Sequence, residues 1–257
     1  MIMATVALLV VACGKEKNDE EASIIGKWMM TEFNGATIPT NNKVVYTLES
    51  TTSGYISASS VRYNTDMLWT NHAKSNVTMV EDTITLQGSL NKSISYMAVL
   101  NVKNLTNTNL LTESTNTLYK NGALFDESGG TVLWSRINKD YSEDILGMWE
   151  GRVTSEEGSE YDDGQLHRWE YLNDGKYIYY SLDNNGQWRS DNGGISDYFV
   201  DGKLLCTRWT NSEDDKTVNN EWWEIESIED GIMKWTSLRQ REDGTFYNAT
   251  FSMTKVQ

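Results

Sequence analysis

An internal repeat constrains the fold of this chain of 257 residues more than any other feature. The segment Ser-Ile-Ile-Gly-Lys-Trp at residues 23–28 is echoed by Asp-Ile-Leu-Gly-Met-Trp at residues 144–149. This separation is far longer than the repeat unit of a solenoid, so it predicts two copies of a whole domain. We expect the first copy at residues 23–140 and the second at residues 141–257.

Alternating apolar residues and tight turns predict that each copy is built of strands. In residues 247–253, Tyr-Asn-Ala-Thr-Phe-Ser-Met, every second side chain is apolar, as in a strand with one buried face. Turn clusters that end in glycine, such as Asn-Asp-Gly at residues 173–175 and Glu-Asp-Gly at residues 242–244, favour hairpin turns. Recurrent turns describe a meander, which forms an up-and-down barrel when it closes. The predicted fold class is all-β, with two tandem antiparallel meander β-barrels, and a β-sandwich stays open as the alternative.

The tripeptides Gly-Lys-Trp at residues 26–28 and Gly-Met-Trp at residues 147–149 each stand at the head of the first predicted strand. They resemble the Gly-x-Trp signature of lipocalin-like domains. The resemblance implies that each tryptophan closes one end of a barrel, and that a basic side chain of the last strand packs over its ring. The residues in these structural roles would be Gly26, Trp28 and Arg136 in the first copy, and Gly147, Trp149 and Lys255 in the second.

The first residues of the chain are predicted to be a targeting signal and not part of the folded domains. Residues 1–12 are uncharged and apolar but too short to span a bilayer, which is typical of a signal peptide. The stretch Val-Val-Ala-Cys that ends at Cys13 resembles the lipobox of bacterial lipoproteins, and this implies that Cys13 is lipidated. The polar residues 13–22 then form a flexible tether. We expect a lipid-anchored protein of the outer membrane, exposed at the cell surface.

The charge of the chain excludes several classes of partner. It has 37 acidic and 22 basic residues, a net charge of -15, whereas nucleic acids and anionic lipid surfaces attract basic proteins. We therefore expect no nucleic acid partner, and membrane contact through the lipid anchor only. The two histidines, His72 and His167, lie in different halves, and no spacing matches a metal site or a nucleophile with its base. We expect no metal, no cofactor and no catalysis.

Aromatic residues of the second copy provide the main hypothesis about function. At strand spacing they line either a packed core or a cavity for a small, apolar or amphipathic ligand, and alternation does not show which face is inside. A barrel that holds such a ligand without chemistry is the interpretation we prefer. The candidate ligand-binding residues are Tyr177, Tyr179, Trp209, Trp223, Trp235 and Tyr247.

Two further tryptophans favour a different class of function. Trp188 follows a glycine turn, and Trp222 faces away from Trp223 if both lie on one strand. As exposed rings they could bind a glycan or a protein, which would make the chain an adhesion module. The short linker at residues 138–143 also predicts that the two copies contact each other, so their interface is a third possible site.

Overall fold

The computed structural model describes residues 22–49, 55–63, 66–153, 164–190, 196–210 and 217–257, and gives the backbone alone for residues 55–63 and 66–74. In these residues the chain forms eighteen strands and one 3₁₀ turn, Thr40–Asn42, without any α-helix. No helix of this part of the chain is long and apolar enough to cross a membrane. The all-β prediction is confirmed. Cys13, the predicted signal peptide and most of the predicted tether lie outside the described residues.

The first sheet is antiparallel and closes on itself. Its strands are β1 (Gly26–Phe33), β2 (Ala36–Thr37), β3 (Val44–Leu48), β4 (Tyr55–Tyr63), β5 (Asp66–Val80), β6 (Thr83–Ser89), β7 (Ile94–Leu105), β8 (Asn109–Lys120) and β9 (Ala123–Ile137). From β3 onward each strand pairs with the next one along the chain, and β1 pairs with both β3 and β9. Strands β1 and β3–β9 therefore form a closed barrel, the first barrel, and β2 is a short arm on β1.

The second sheet is an antiparallel meander with two free edges. Its strands are β10 (Gly147–Val153), β11 (His167–Tyr171), β12 (Tyr177–Leu182), β13 (Trp188–Ser190), β14 (Ser196–Asp201), β15 (Leu204–Trp209), β16 (Asn219–Glu229), β17 (Ile232–Gln240) and β18 (Phe246–Lys255). Strand β10 pairs with β11 and β18, and the edges are β13 and β14. A bridge between Lys176 and Asp197 draws the turn before β12 onto β14, so the sheet curls almost into a ring, the second barrel. The division into two domains and their boundaries stay a prediction.

Residue alternation explains which side chains the second barrel encloses. Along β18 the inward residues Ala249, Phe251 and Met253 are buried, while Thr254 and Phe246 are exposed. The inward residues of the other strands join them in one aromatic core, because β-strands place every second side chain on the same face. The first barrel has a separate core around Trp28, Ile84, Leu86 and Trp134.

A third apolar cluster joins the two barrels. Met29 and Val45, on the outer face of the first barrel, pack against Leu204, Cys206 and Trp222 of the second. An ion pair between Lys43 and Glu224 and a second pair between Lys27 and Asp201 also connect the barrels. The predicted contact between the two halves is therefore present and is largely apolar at its centre.

Candidate functional site

The repeated tripeptides place Trp28 and Trp149 at equivalent positions in the two barrels. The indole N–H of Trp28 donates to the carbonyl of Ile24 at 2.8 Å, and that of Trp149 donates to Ile145 at 2.6 Å. Both tryptophans are almost completely buried. Each ring therefore fixes the segment that leads into the first strand of its barrel. We refer to the Trp149 side of the second barrel as its closed end.

Basic side chains lie over both rings. The guanidinium of Arg136 is 4.1 Å from the centroid of Trp28, and the ammonium of Lys255 is 5.1 Å from the ring of Trp149. Gly26 and Gly147 have φ angles of 140° and 107°, and a Cβ on Gly26 would lie 2.4 Å from the Arg136 side chain. The glycines are favoured because residues with a Cβ rarely adopt these positive φ angles. These residues are structural, and membership of the lipocalin family stays a prediction.

The closed half of the second barrel is filled with aromatic rings. Trp235 stacks on Trp223 with centroids 5.3 Å apart, and its edge contacts involve Phe251 at 5.7 Å and Tyr171 at 6.2 Å. Tyr177 lies beside Tyr171, and burial raises the pKa of both phenols. A phenol is protonated at neutral pH even without such a shift, and burial opposes its ionisation further. Tyr177, Trp223 and Trp235 are primarily core residues, as the alternative interpretation of the aromatic pattern held.

Two buried donors in this half have no hydrogen-bond acceptor among the described residues. They are the hydroxyl of Tyr171 and the indole N–H of Trp235, whose side chains are 1% and 2% exposed. Buried polar groups are nearly always hydrogen-bonded, and one that is not costs about 1–3 kcal/mol. The two rings are in contact, so these donors belong to the same region of the barrel interior.

An ion pair lies at the other end of the interior, which we call the far end. Glu221 shares the inward face of β16 with Trp223, and Arg239 shares the inward face of β17 with Trp235. Their side chains are 3.0 Å apart and about one-fifth exposed. The Arg239 guanidinium also lies 4.9 Å from the centroid of Trp223. The guanidinium of this ion pair is thus held against an aromatic wall, within reach of solvent.

His167 and Tyr179 form a second polar contact on the inward face. The Nδ1 of His167 is 2.9 Å from the hydroxyl of Tyr179, and the imidazole contacts Trp169 and Phe251. His167 is only 7% exposed. No group of three or more histidine, cysteine or acidic side chains that could hold a metal ion occurs among the described residues. His72 lies on β5, where the backbone alone is described.

The other predicted ligand-binding residues are less buried than the aromatic core residues. Trp209 and Tyr179 are half-buried and pack against the aromatic core. Tyr247 is also half-buried, with Arg241 4.4 Å from its centroid. We define the interior site as the polar and aromatic residues that meet inside the second barrel: His167, Tyr171, Tyr179, Glu221, Trp223, Trp235 and Arg239.

Sequence reasoning missed Tyr171, Glu221 and Arg239. Strand alternation could have indicated the last two, since each stands two or four residues from an inward tryptophan. The pairing of Glu221 with Arg239 is set by the register between β16 and β17, which no local pattern reveals.

The prediction that Trp222 is a surface residue is wrong. Trp222 is 3% exposed and packs between the two barrels with Cys206 and Leu204. It does face away from Trp223, but the outer face of its strand is covered by the first barrel. Trp188 is half-buried, and the guanidinium of Arg168 lies 4.1 Å from the centroid of its ring.

The first barrel has a small apolar cavity at its own tryptophan end. An apolar cavity of about 130 Å³ lies there between Ile24, Leu48, Val77 and Ile84. Cavities that bind drug-sized molecules usually measure about 300–1,000 Å³. The cavity of the first barrel is below this range, and we place the candidate site in the second barrel because polar groups occur in its interior.

Comparison with known proteins does not identify a family. No protein-family model matches the sequence, and no curated protein matches it. Among solved structures, a double mutant of transferrin binding protein B from Haemophilus parasuis Hp5 is 11% identical with a TM-score of 0.25, over 90% of this chain and 45% of that one. An AttH-like protein of Nitrosomonas europaea is 9% identical with a TM-score of 0.23, over 97% and 99% of the two chains. The chain thus spans under half of the transferrin-binding protein. At these TM-scores neither similarity supports an assignment of function.

Proposed function

We propose that the chain is a non-catalytic binding protein whose second barrel takes one small, amphipathic molecule. The apolar body of the ligand would contact the half-buried Tyr179, and a polar or anionic group would be received by Arg239. Such a molecule matches the composition of the interior site, where aromatic rings form most of the wall and a few polar groups would orient the ligand.

The observation that carries the proposal is the presence of polar groups inside an aromatic barrel. An interior that only stabilised the fold would gain little from burying a charged pair, because desolvation offsets the attraction between the charges. Tyr171 and Trp235 add two donors that no described side chain or carbonyl satisfies. A ligand acceptor that reached them would remove this cost.

A fluorescent probe tests the far end directly. Anilinonaphthalene sulfonate is a small aromatic anion of the proposed class, and we expect it to bind the folded chain with one-to-one stoichiometry. Arg239→Met should weaken binding about tenfold or more, because it removes the cation that faces the sulfonate.

The matched control is Arg208→Met. Arg208 also pairs with a carboxylate, that of Asp197, but on the outer face of the same barrel. This variant should bind the probe as the unaltered chain does, and circular dichroism should show that both variants are folded. Equal affinity in the Arg239→Met variant, or no saturable binding by the unaltered chain, would contradict the proposal.

For the localisation of the protein, we propose that Cys13 is lipidated and that the chain is attached to the outer membrane and exposed at the cell surface. The support is the apolar leader and the lipobox-like tetrapeptide that ends in Cys13. Mass spectrometry of the mature chain, as purified from its own cells, tests this. We expect a diacyl- or triacyl-modified cysteine as the first residue, and an unmodified Cys13 would contradict the proposal.

A further inference from the structure

A groove runs over the outer surface of the second barrel, on β10, β11 and β18. Its volume is about 580 Å³, which is in the range of cavities that bind small molecules. The first barrel covers a different side, since its contacts involve β14, β15, β16 and the part of β17 near Leu238. The groove therefore belongs neither to the interior site nor to the interface. Its polar lining is formed by Glu150, Arg152, Arg168, Ser252, Thr254 and Lys255.

The charge of the groove is opposite to that of the chain. Three cationic side chains, those of Arg152, Arg168 and Lys255, line it together with one carboxylate, that of Glu150. Lys234 lies next to this surface, because it is directly opposite Ser252 in the register of β17 and β18. The whole chain carries -15, so this concentration of positive charge is a local feature of the fold. Such a groove attracts an anionic ligand.

The cations in the groove are held in place. The Nε of Arg168 donates to Glu150 at 3.0 Å, and the guanidinium lies 4.1 Å from the centroid of Trp188. The guanidinium of Arg152 donates to the carbonyl of Gly164. Fixed guanidinium groups bind carboxylates with less loss of side-chain entropy than mobile lysines do.

We propose that this groove binds an acidic saccharide, a sugar chain whose units carry carboxylates. The cations would receive the carboxylates, and Ser252, Thr254 and Glu150 would exchange hydrogen bonds with sugar hydroxyls. A bare inorganic anion would use only the charge, whereas the groove also presents the hydroxyl groups of Ser252 and Thr254. This site is independent of the ligand in the barrel interior.

Isothermal titration calorimetry of the full chain tests the proposal with three probes. We expect tetragalacturonate to bind at least about tenfold more tightly than the neutral maltotetraose and than inorganic sulfate. Arg152→Gln and Lys234→Gln should each weaken tetragalacturonate binding about fivefold. Lys103→Gln, at an exposed ion pair of the first barrel, should have no effect.

Any one of the following results would overturn the proposal. They are absence of tetragalacturonate binding, equal binding of sulfate or maltotetraose, and unchanged affinity in both groove variants. Arg239→Met separates this site from the interior site, since it should leave tetragalacturonate binding unchanged. If both Arg239→Met and the groove variants reduce tetragalacturonate binding equally, the saccharide does not select the groove and the proposal is wrong.

Discussion

The tryptophans of the repeated segments show how single residues define the two barrels. Trp149 is 0% exposed, donates a hydrogen bond to the carbonyl of Ile145, and its ring contacts the ammonium group of Lys255. Trp28 repeats this arrangement with Ile24 and Arg136. The Gly-x-Trp motif therefore marks a set of contacts that connects the first strand of each barrel with the segment before it and with the last strand.

Truncation of Trp149 should be severely destabilising. Trp149→Ala removes a fully buried ring and its hydrogen bond, and we expect a loss of about 3–5 kcal/mol in the free energy of unfolding measured with urea. Trp188→Ala is the matched control, because Trp188 is half-buried on the outer surface, and its loss should stay below about 1.5 kcal/mol. Similar losses for both tryptophans would contradict the assignment of Trp149 to the core.

The unsatisfied hydroxyl of Tyr171 leads to a prediction of the opposite sign. Tyr171→Phe removes a buried donor that has no described acceptor, so the ligand-free chain should be as stable as before, or more stable. Tyr198→Phe removes a hydroxyl that donates to the carbonyl of Leu172 at 2.6 Å, and should cost about 1 kcal/mol. Urea unfolding of the two variants distinguishes these outcomes. A larger loss for Tyr171→Phe would show that its hydroxyl is hydrogen-bonded in the free protein.

At the scale of the strands, the pairing of β10 with β18 depends on a very close approach of the two backbones at Gly151. A Cβ on Gly151 would lie 2.1 Å from the carbonyl oxygen of Ser252 and 2.8 Å from the Cα of Met253. Both are backbone atoms and cannot rotate away. Strand β10 also pairs with β11, so a displacement of β10 would disturb the centre of the sheet.

Gly151→Ala should therefore cost about 3 kcal/mol or more, or prevent folding. The matched control is Gly186→Ala in the turn between β12 and β13. Its Cβ would meet nothing within 4 Å, and only the positive φ angle would oppose the change, at a cost of about 1–2 kcal/mol. Thermal melting followed by circular dichroism compares the two, and equal melting temperatures would contradict the predicted clash.

The strands are also the level at which sequence reasoning was most reliable. The alternation in residues 247–253 corresponds to β18, and the cluster at residues 242–244 is the turn that precedes it. These features could be predicted because one strand and one turn are set by neighbouring residues. The burial of Trp222 could not, because it depends on which outer face of the second barrel the first barrel covers. For the same reason the pairing of Glu221 with Arg239 was not predicted.

At the scale of the whole molecule, the two barrels are coupled by charges as well as by apolar contacts. Glu224 of the second barrel accepts hydrogen bonds from Lys43 of the first barrel and from Lys203 at 3.1 Å. Burial alone would raise the pKa of Glu224, but the two ammonium groups outweigh it and lower the pKa below 4.5. The ionised carboxylate therefore stabilises the folded chain above that pH. This contribution is lost as the pH falls through the pKa of the folded state.

Glu224→Gln should consequently reduce stability in a pH-dependent way. At pH 7 the variant should melt well below the unaltered chain, because Lys43 is then buried without its carboxylate. At about pH 3 the difference should be smaller, since the carboxylate is increasingly protonated in the unaltered chain. Glu113→Gln, at an ion pair with side chains 50% and 63% exposed, should change the melting temperature little at either pH. A constant difference for Glu224→Gln across this range would contradict the assigned role of the interface.

The central claim is that the second barrel holds a small molecule, and native mass spectrometry of the protein purified gently from its own cells tests it most directly. We predict one defined additional mass that disappears on denaturation and is absent from the Arg239→Met variant, while Arg208→Met retains it. A protein that carries no additional mass, or an additional mass that Arg239→Met does not affect, would contradict the claim. In that event the polar groups in the barrel interior would serve the fold alone.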